Sequence, residues 1–405
     1  MNTATPKNEL RSEFNRENLS FDIAFEVPQI QRLRFTKNIF EKDAAILSAL
    51  IEASGPAPAK VQIWVDGALR EPLGSKIAAL HATLNQQLHI EAIPEIRYAT
   101  GGEAVKRNPK LIEEMWSAFN EVNLDRRSYV LAIGGGAVLD AVGYAAATAH
   151  RGIRLIRIPT TTLGQGDSGV GVKNAINHFD KKNWLGTFAT PWAVVNDMTV
   201  LETLPDRDFR CGFSEAVKVS LLKSEEQFDF LVDNAARVKA REPEVTQQAI
   251  KDSILLHLHH ITRGGDPFEA EIARPLDFGH WSAHKLEPMT DYQLRHGEAV
   301  SIGVALDCLY SSRAHGLSRA DAHRVVRCLA EIGLPTSHDL LKDKDVLFDG
   351  LEEFRQHLGG ELTVTMIDAP GQPVDVHEID HAAMSDSIDE LLQISSGPNA
   401  IGSHA

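Results

Sequence analysis

The chain has only three cysteines in 405 residues, Cys211, Cys308 and Cys328, too few and too scattered for a disulfide framework or a cysteine-built zinc knuckle. It lacks any run approaching the roughly 18 apolar residues of a membrane span, and its first twenty residues lack the apolar centre of a secretion signal. A reducing, cytoplasmic setting is the expectation. Positive charge is also scarce: 41 Lys and Arg against 56 Asp and Glu give a net −15, which argues against nucleic acid or an anionic membrane as partner. The acidity is uneven, because residues 335–405 hold 14 acidic and 3 basic residues, leaving only −4 on the preceding 334. An anionic small molecule is therefore still admissible. With 43% hydrophobic residues, 29 Gly and 18 Pro, collagen-like, low-complexity and disordered classes are excluded.

At roughly 100–200 residues per domain, the length suggests two domains. Residues 1–20 are polar and aperiodic and read as a flexible arm. From 21 to 200, short β-branched runs (61–65, 90–96, 129–133, 155–158, 193–195) alternate with helical stretches (74–88, 108–122, 138–150). That pattern specifies βαβ units on a parallel sheet with flanking helices, a nucleotide-binding α/β domain. From 201 to 395, 3.6-residue periodicity dominates (207–223, 225–239, 244–262, 296–315, 319–332), predicting a mainly α-helical domain, followed by a frayed tail over 396–405.

Two segments of the first half carry chemistry. In YVLAIGGGAVLD (129–140) a strand meets three glycines and a helix start. There the backbone can approach a pyrophosphate and the helix offers free N–H groups, although the same glycines also suit a plain tight turn. After the next strand, residues 158–188 gather Thr160, Thr161, Asp167, Lys173, Lys181, Lys182, Asn177 and Asn183 in what reads as a polar loop. In the second half, Glu215, His280 and His296 form a two-imidazole, one-carboxylate set with a coordination position to spare, the pattern of catalytic zinc; a hydrogen-bonded histidine pair is the plainer alternative. His284 shares the helix face of His280, and the trio His257, His259 and His260 is a further candidate. Cys211 reads as core, and Trp281 as the one tryptophan placed to line a pocket.

The segments GEAVK (102–106), GGGAVLD (134–140), PTT (159–161), DSGVGVK (167–173), KNWLG (182–186), LPDR (204–207), EAVK (215–218), FGHWSAH (278–284) and HGEAVSIG (296–303), in this order, resemble the dehydroquinate-synthase-like sugar phosphate cyclases over roughly residues 60–310. The resemblance implies a fold of that type and a homodimer. It implies NAD held by Asp66, Glu103, Lys106, Gly135, Gly136, Asp140, Thr160, Thr161, Lys182 and Thr203, and Zn²⁺, replaceable by Co²⁺, held by Glu215, His280 and His296. It places Asp167, Lys173, Asn183, Lys218 and His284 around the substrate, with Arg151 reaching its phosphate across a dimer interface.

The implied reaction oxidises a ring carbinol transiently, eliminates phosphate, returns the hydride, opens the ring and closes a carbocycle by intramolecular aldol addition. The Lys and Arg that dehydroquinate-forming members place before the first metal histidine correspond here to His259 and Ala273, with Arg274 one residue on, and the usual Asn corresponds to Asp277. A carboxylate at 277 repels a carboxylated substrate, so the expected substrate is a heptulose 7-phosphate lacking that group, sedoheptulose 7-phosphate foremost. The wording around HITRGGDPFE is most similar to a divergent subgroup of ebo-type biosynthetic clusters. Dehydroquinate synthase itself, a metal-dependent polyol or alcohol dehydrogenase, and a non-catalytic binding protein on the same fold are the alternatives.

Overall fold

The computed structural model describes residues 22, 24–179, 181–264, 266–268, 274–357 and 360–396. The N-terminal arm, Ala273 and the tail beyond Ser396 lie outside the described residues. In chain order the first half comprises β1 (Leu33–Thr36), α1 (Ala44–Leu50), β2 (Ala59–Asp66), α2 (Arg70–Asn85), β3 (Ile90–Ala92), β4 (Arg97–Ala99), α3 (Pro109–Glu121), β5 (Tyr129–Gly134), α4 (Gly136–Thr148), β6 (Arg154–Pro159), β7 (Lys173–His178), β8 (Lys181–Phe188) and β9 (Ala193–Asp197). The second half comprises α5 (Asp206–Lys223), α6 (Glu225–Lys239), α7 (Pro243–Arg263), α8 (His280–Met289), α9 (His296–Ala314), α10 (Arg319–Ile332), α11 (Lys344–His357), β10 (Val364–Ala369), β11 (Gln372–Val376) and α12 (His381–Ser396).

The main sheet is parallel throughout, in the order β1-β9-β6-β5-β2-β3 with β4 also paired to β2. Alternate residues of its central strands feed opposite faces, as pleating requires. Val61, Ile63, Leu131 and Ile133 join a large apolar core that runs on through the helical half to Leu391. Trp64, Val130 and Ala132 join a second core under α3 and α4. A parallel sheet covered on both faces, followed by helices, is the architecture the sequence predicts.

The departures have local causes. The run predicted over 90–96 is a strand only over Ile90–Ala92, and a second short strand starts beyond it at Arg97; Pro94, between them, has no N–H to give the ladder. The expected loop over 158–188 instead contains a π-helical turn, Gly164–Ser168, and the antiparallel hairpin β7–β8. The edge strand β1 and the hairpin β10–β11 were not foreseen. Trp281 is not a pocket residue: it is 1% exposed in the core, and its Nε1 donates to Asp307 Oδ1 at 2.9 Å.

Asp307 also accepts from the Gly279 N–H at 2.9 Å, tying α9 to the start of α8. Burial pushes its carboxyl up to about 7, against the opposing pull of these two donors. In the unfolded chain the same group ionises near pH 4, so between pH 4 and 7 the unfolded state releases a proton that the folded state keeps. Wild-type stability therefore falls with rising pH across that window, by at most about 1.4 kcal/mol per unit, and levels off above it. Urea unfolding of wild type and Asp307→Asn from pH 4.5 to 8 checks this. The gap between them should shift in favour of the variant up to pH 7 and then stay constant; a gap independent of pH contradicts it.

Candidate active site

Three helices bring the second-half residues together. Glu215 and Lys218 lie one turn apart on α5, His280, His284 and Glu287 on α8, and His296 opens α9. Close crossing is possible because α9 presents glycines at its contacts. A Cβ at Gly297 would sit 2.2 Å from the Cys211 carbonyl oxygen, and one at Gly303 only 1.9 Å from that of Gly279. Arg207 clamps the assembly, its Nε and Nη2 each donating to Glu298 at 2.7 Å, while Glu298 also accepts from the Arg295 N–H and so fixes the first turn of α9. The arginine of the LPDR segment is thus a tether between α5 and α9.

Glu215 is 1% exposed, and neither of its oxygens has an aligned hydrogen bond among the described residues. Lys218 Nζ lies 2.5 Å from Oε2, and the Nε2 atoms of His280 and His296 lie 3.5 and 3.6 Å from Oε1. Each imidazole has its other nitrogen engaged: His280 Nδ1 donates to the Phe278 carbonyl at 3.0 Å and His296 Nδ1 to Glu287 Oε1 at 3.0 Å. Acceptors at Nδ1 leave Nε2 to offer its lone pair inward. A buried carboxylate short of hydrogen bonds, facing two such nitrogens, could hold a divalent metal and leave a position open. Burial disfavours the Glu215 anion, but Lys218 and the two imidazoles hold it well below the usual carboxylate range. Lys218 is raised despite its own burial, by Glu215 and then Asp167. Burial opposes charge on His296, yet Glu287 and Glu215 push it up to about 9.

Asp167, on the π-helical turn, faces this cluster. His257 Nδ1 lies 2.5 Å from its Oδ1, and Ser253, one turn earlier on α7, donates to the Gly166 carbonyl at 2.9 Å. Burial works against the Asp167 anion, and His257 outweighs it and lowers the carboxyl. Asp277 is lowered too, against burial, by His280, Lys173, His284 and Lys218, which puts it in the same field. His284 is exposed next to the cluster, its ring centroid 5.4 Å from that of His280 and 6.2 Å from that of His296.

The first-half residues occupy the carboxyl ends of adjacent strands, where ligands of parallel sheets bind. Asp66 ends β2, Gly135 and Gly136 follow β5, and Thr160 and Thr161 follow β6. Gly135 N-caps α4 with no side chain capping it, so the first N–H groups of the helix are available to an anion. The fit is close: a Cβ at Gly135 would lie 3.2 Å from Thr161 Cγ2, and one at Gly136 3.1 Å from Ser168 Oγ. Lys106 and Asp140 are ion-paired at 2.8 Å, and Glu103 accepts from Asn177 Nδ2 at 2.9 Å. Lys182 pairs with Glu287 at 2.9 Å, and the Asn183 N–H donates to Asn177 Oδ1 at 2.8 Å, at a φ of 55°. A cavity of about 320 Å³ opens beside them, lined by Arg107, Lys181, Lys182, Phe179 and Tyr292 among others.

Three expected residues are not part of this cluster. His259 is exposed on α7, about 200° round the helix from His257, so of the histidine trio it is His257 that reaches Asp167. Arg151 is exposed before the amino end of β6, the end of the strand opposite the cradle. Thr203 is exposed, and its hydroxyl donates to the Val200 carbonyl within its own turn. Glu287, by contrast, was not singled out from sequence, although its place seven residues after His280 puts it on the same helix face.

Family profiles described as "3-dehydroquinate synthase N-terminal" and "3-dehydroquinate synthase C-terminal" match residues 97–211 and 212–353. A 3-dehydroquinate synthase from Halorhodospira halophila is 34% identical over 281 residues, 69% of this chain and 78% of that protein. Among solved structures, ValA, a 2-epi-5-epi-valiolone synthase from Streptomyces hygroscopicus with NAD⁺ and Zn²⁺ bound, aligns at TM-score 0.81 and 25% identity over 92% of this chain and 99% of that one. A 2-deoxy-scyllo-inosose synthase complexed with carbaglucose-6-phosphate, NAD⁺ and Co²⁺ aligns at TM-score 0.73 and 21% identity, over 88% and 96%, and shares the fold.

A site that binds Zn²⁺ only in the folded state must stabilise that state. At a free concentration of about 100 times Kd, wild type should gain roughly 2.7 kcal/mol, seen as a rise in Tm, while His280→Ala should gain nothing. An equal rise in both proteins would place the ion elsewhere.

Proposed function

The chain belongs to the 3-dehydroquinate synthase family, and on that premise we propose that it is an NAD- and divalent-metal-dependent sugar phosphate cyclase, a carbon–oxygen lyase that turns a heptulose 7-phosphate into a carbocycle. The observation that carries this is the buried Glu215 facing two imidazole nitrogens, together with an anion cradle at the ends of β5 and β6. Glu215, His280 and His296 would hold Zn²⁺ or Co²⁺, and Asp66, Gly135, Gly136, Thr160 and Thr161 would cradle NAD, with Glu103, Lys106, Asp140 and Lys182 shaping its surroundings. When bound, the metal supplies Lewis acidity at a ring hydroxyl and NAD a reversible hydride acceptor, so oxidation is transient and no NADH accumulates.

The protein's own residues then have distinct tasks. Lys218 and Lys173 bring positive charge to a substrate that must shed phosphate. Asp167, held by His257, and His284 are the acceptor and donor for ring hydroxyls, and Asn183 on the hairpin contributes a polar edge. Arg151, exposed and away from the cluster of its own subunit, suits the phosphate site of a second subunit in a homodimer.

The substrate we favour is sedoheptulose 7-phosphate. Asp277, in the field of Lys173 and His284, offsets positive charge that a carboxylated substrate would need, and His259 faces outward where a lysine would be expected. The likeness to ValA agrees with this, and such a reaction belongs to secondary metabolism, as does the proposed ebo-type subgroup. Dehydroquinate synthase is the second reading, favoured by the identity to the Halorhodospira protein over most of the chain.

Phosphate release from a panel of sugar phosphates, with products identified by mass and NMR, tests the reading. Sedoheptulose 7-phosphate should release phosphate and give a cyclitol without net NADH. Turnover of only the carboxylated heptulosonate would make this a dehydroquinate synthase, and NADH accumulation without phosphate release would make it a dehydrogenase.

A further inference from the structure

Glu287 takes part in two relationships at once. It lies near the end of α8 with its side chain 5% exposed, and its backbone is fixed because its carbonyl accepts from the Tyr292 N–H at 2.8 Å. Its Oε1 accepts from His296 Nδ1 at 3.0 Å and from Lys182 Nζ at 3.1 Å, and its Oε2 accepts from Lys182 Nζ at 2.9 Å. A carboxylate can only accept, so a hydrogen is on His296 Nδ1, and Nε2 is the nitrogen turned toward Glu215. Lys182 belongs to β8, and through the same carboxylate the whole β7–β8 hairpin is fastened to the helix pair that carries His280 and His296.

A competing role is possible on distance alone, since His284, Glu287 and His296 also have potential ligand atoms within 4.8 Å of one another. The hydrogen bonds argue against it. Both Glu287 oxygens already accept, from His296 Nδ1 and Lys182 Nζ, whereas the Glu215 oxygens have no aligned hydrogen bond among the described residues and face the Nε2 atoms of His280 and His296.

Resting on the metal reading above, we propose that Glu287 is a positioning residue that orients His296 for the metal and joins metal loading to ordering of the β7–β8 hairpin. The inference is tested with Zn²⁺ itself, by competition against a chromophoric chelator and by hydrogen exchange of the amides of residues 181–188. Glu287→Ala should weaken Zn²⁺ binding about 10- to 100-fold, as loss of a partner behind a ligating histidine does, and Glu287→Gln, which keeps an acceptor but no charge, by less. In wild type Zn²⁺ should slow hairpin exchange; in Lys182→Met the affinity should persist while the hairpin no longer responds. Glu287→Ala binding within twofold of wild type would overturn the positioning role. A hairpin that still responds in Lys182→Met would overturn the link. Should Glu287→Ala not fold, the Gln variant and Lys182→Met decide the matter. If wild type itself bound no Zn²⁺, or His280→Ala bound it equally well, the metal reading would fail, an outcome distinguishable from failure of the role of Glu287.

Discussion

A carboxylate 1% exposed in the middle of an 18-residue helix is the constraint on which the rest of this molecule depends. Removing an ion of that kind from water costs several kcal/mol unless partners compensate. Among the described residues the Glu215 oxygens have an ammonium and two imidazole edges around them. To supply those partners, α8 and α9 must both begin at a histidine and both end up against α5. The glycines of α9 allow the approach, and the Arg207–Glu298 clamp holds its first turn. Asp307 does the same for α8 from beneath, through the backbone of Gly279 and the ring of Trp281.

A buried cation shapes the segment that carries Asp167 and Lys173. Arg157, 0% exposed in β6, donates to the carbonyls of Ser168, Gly169, Gly171 and Lys173 and to Asn174 Oδ1. A segment with glycines at 164, 166, 169 and 171 has few side chains with which to make a core of its own, so a buried guanidinium spread over its carbonyls gives it shape. Asp167 and Lys173 owe their places to that arrangement. The net −15 of the chain is no obstacle to anionic ligands, because cationic side chains are concentrated at the hairpin and at Lys218 while much of the acidity lies beyond residue 334.

What the sequence makes legible follows from range. The glycine turn after β5 and the parallel sheet can be read from short runs, because each depends on local spacing, whereas Glu215 stands 65 residues before His280 and is grouped with it and His296 only through the order of motifs that the family shares. The hairpin β7–β8 could not, since its sequences KNAINH and KKNWLGTF lack regular alternation, and Lys182 shows its purpose only once Glu287 stands opposite it, 105 residues away in the chain. The choice of His257 over His259 depends on how α7 is rotated against the π-helical turn, which a cluster of three histidines leaves open. Edge strand β1 is four residues long and is specified by its partner β9 more than by its own composition.

The central claim is that the buried carboxylate of Glu215 is a metal ligand. Anomalous diffraction at the zinc edge, from crystals grown with Zn²⁺, tests it most directly. The account predicts one strong peak bonded to a Glu215 oxygen and to the Nε2 atoms of His280 and His296, at roughly 2.0–2.2 Å. A peak among His284, Glu287 and His296 instead, or none near Glu215 at saturating Zn²⁺, would contradict it.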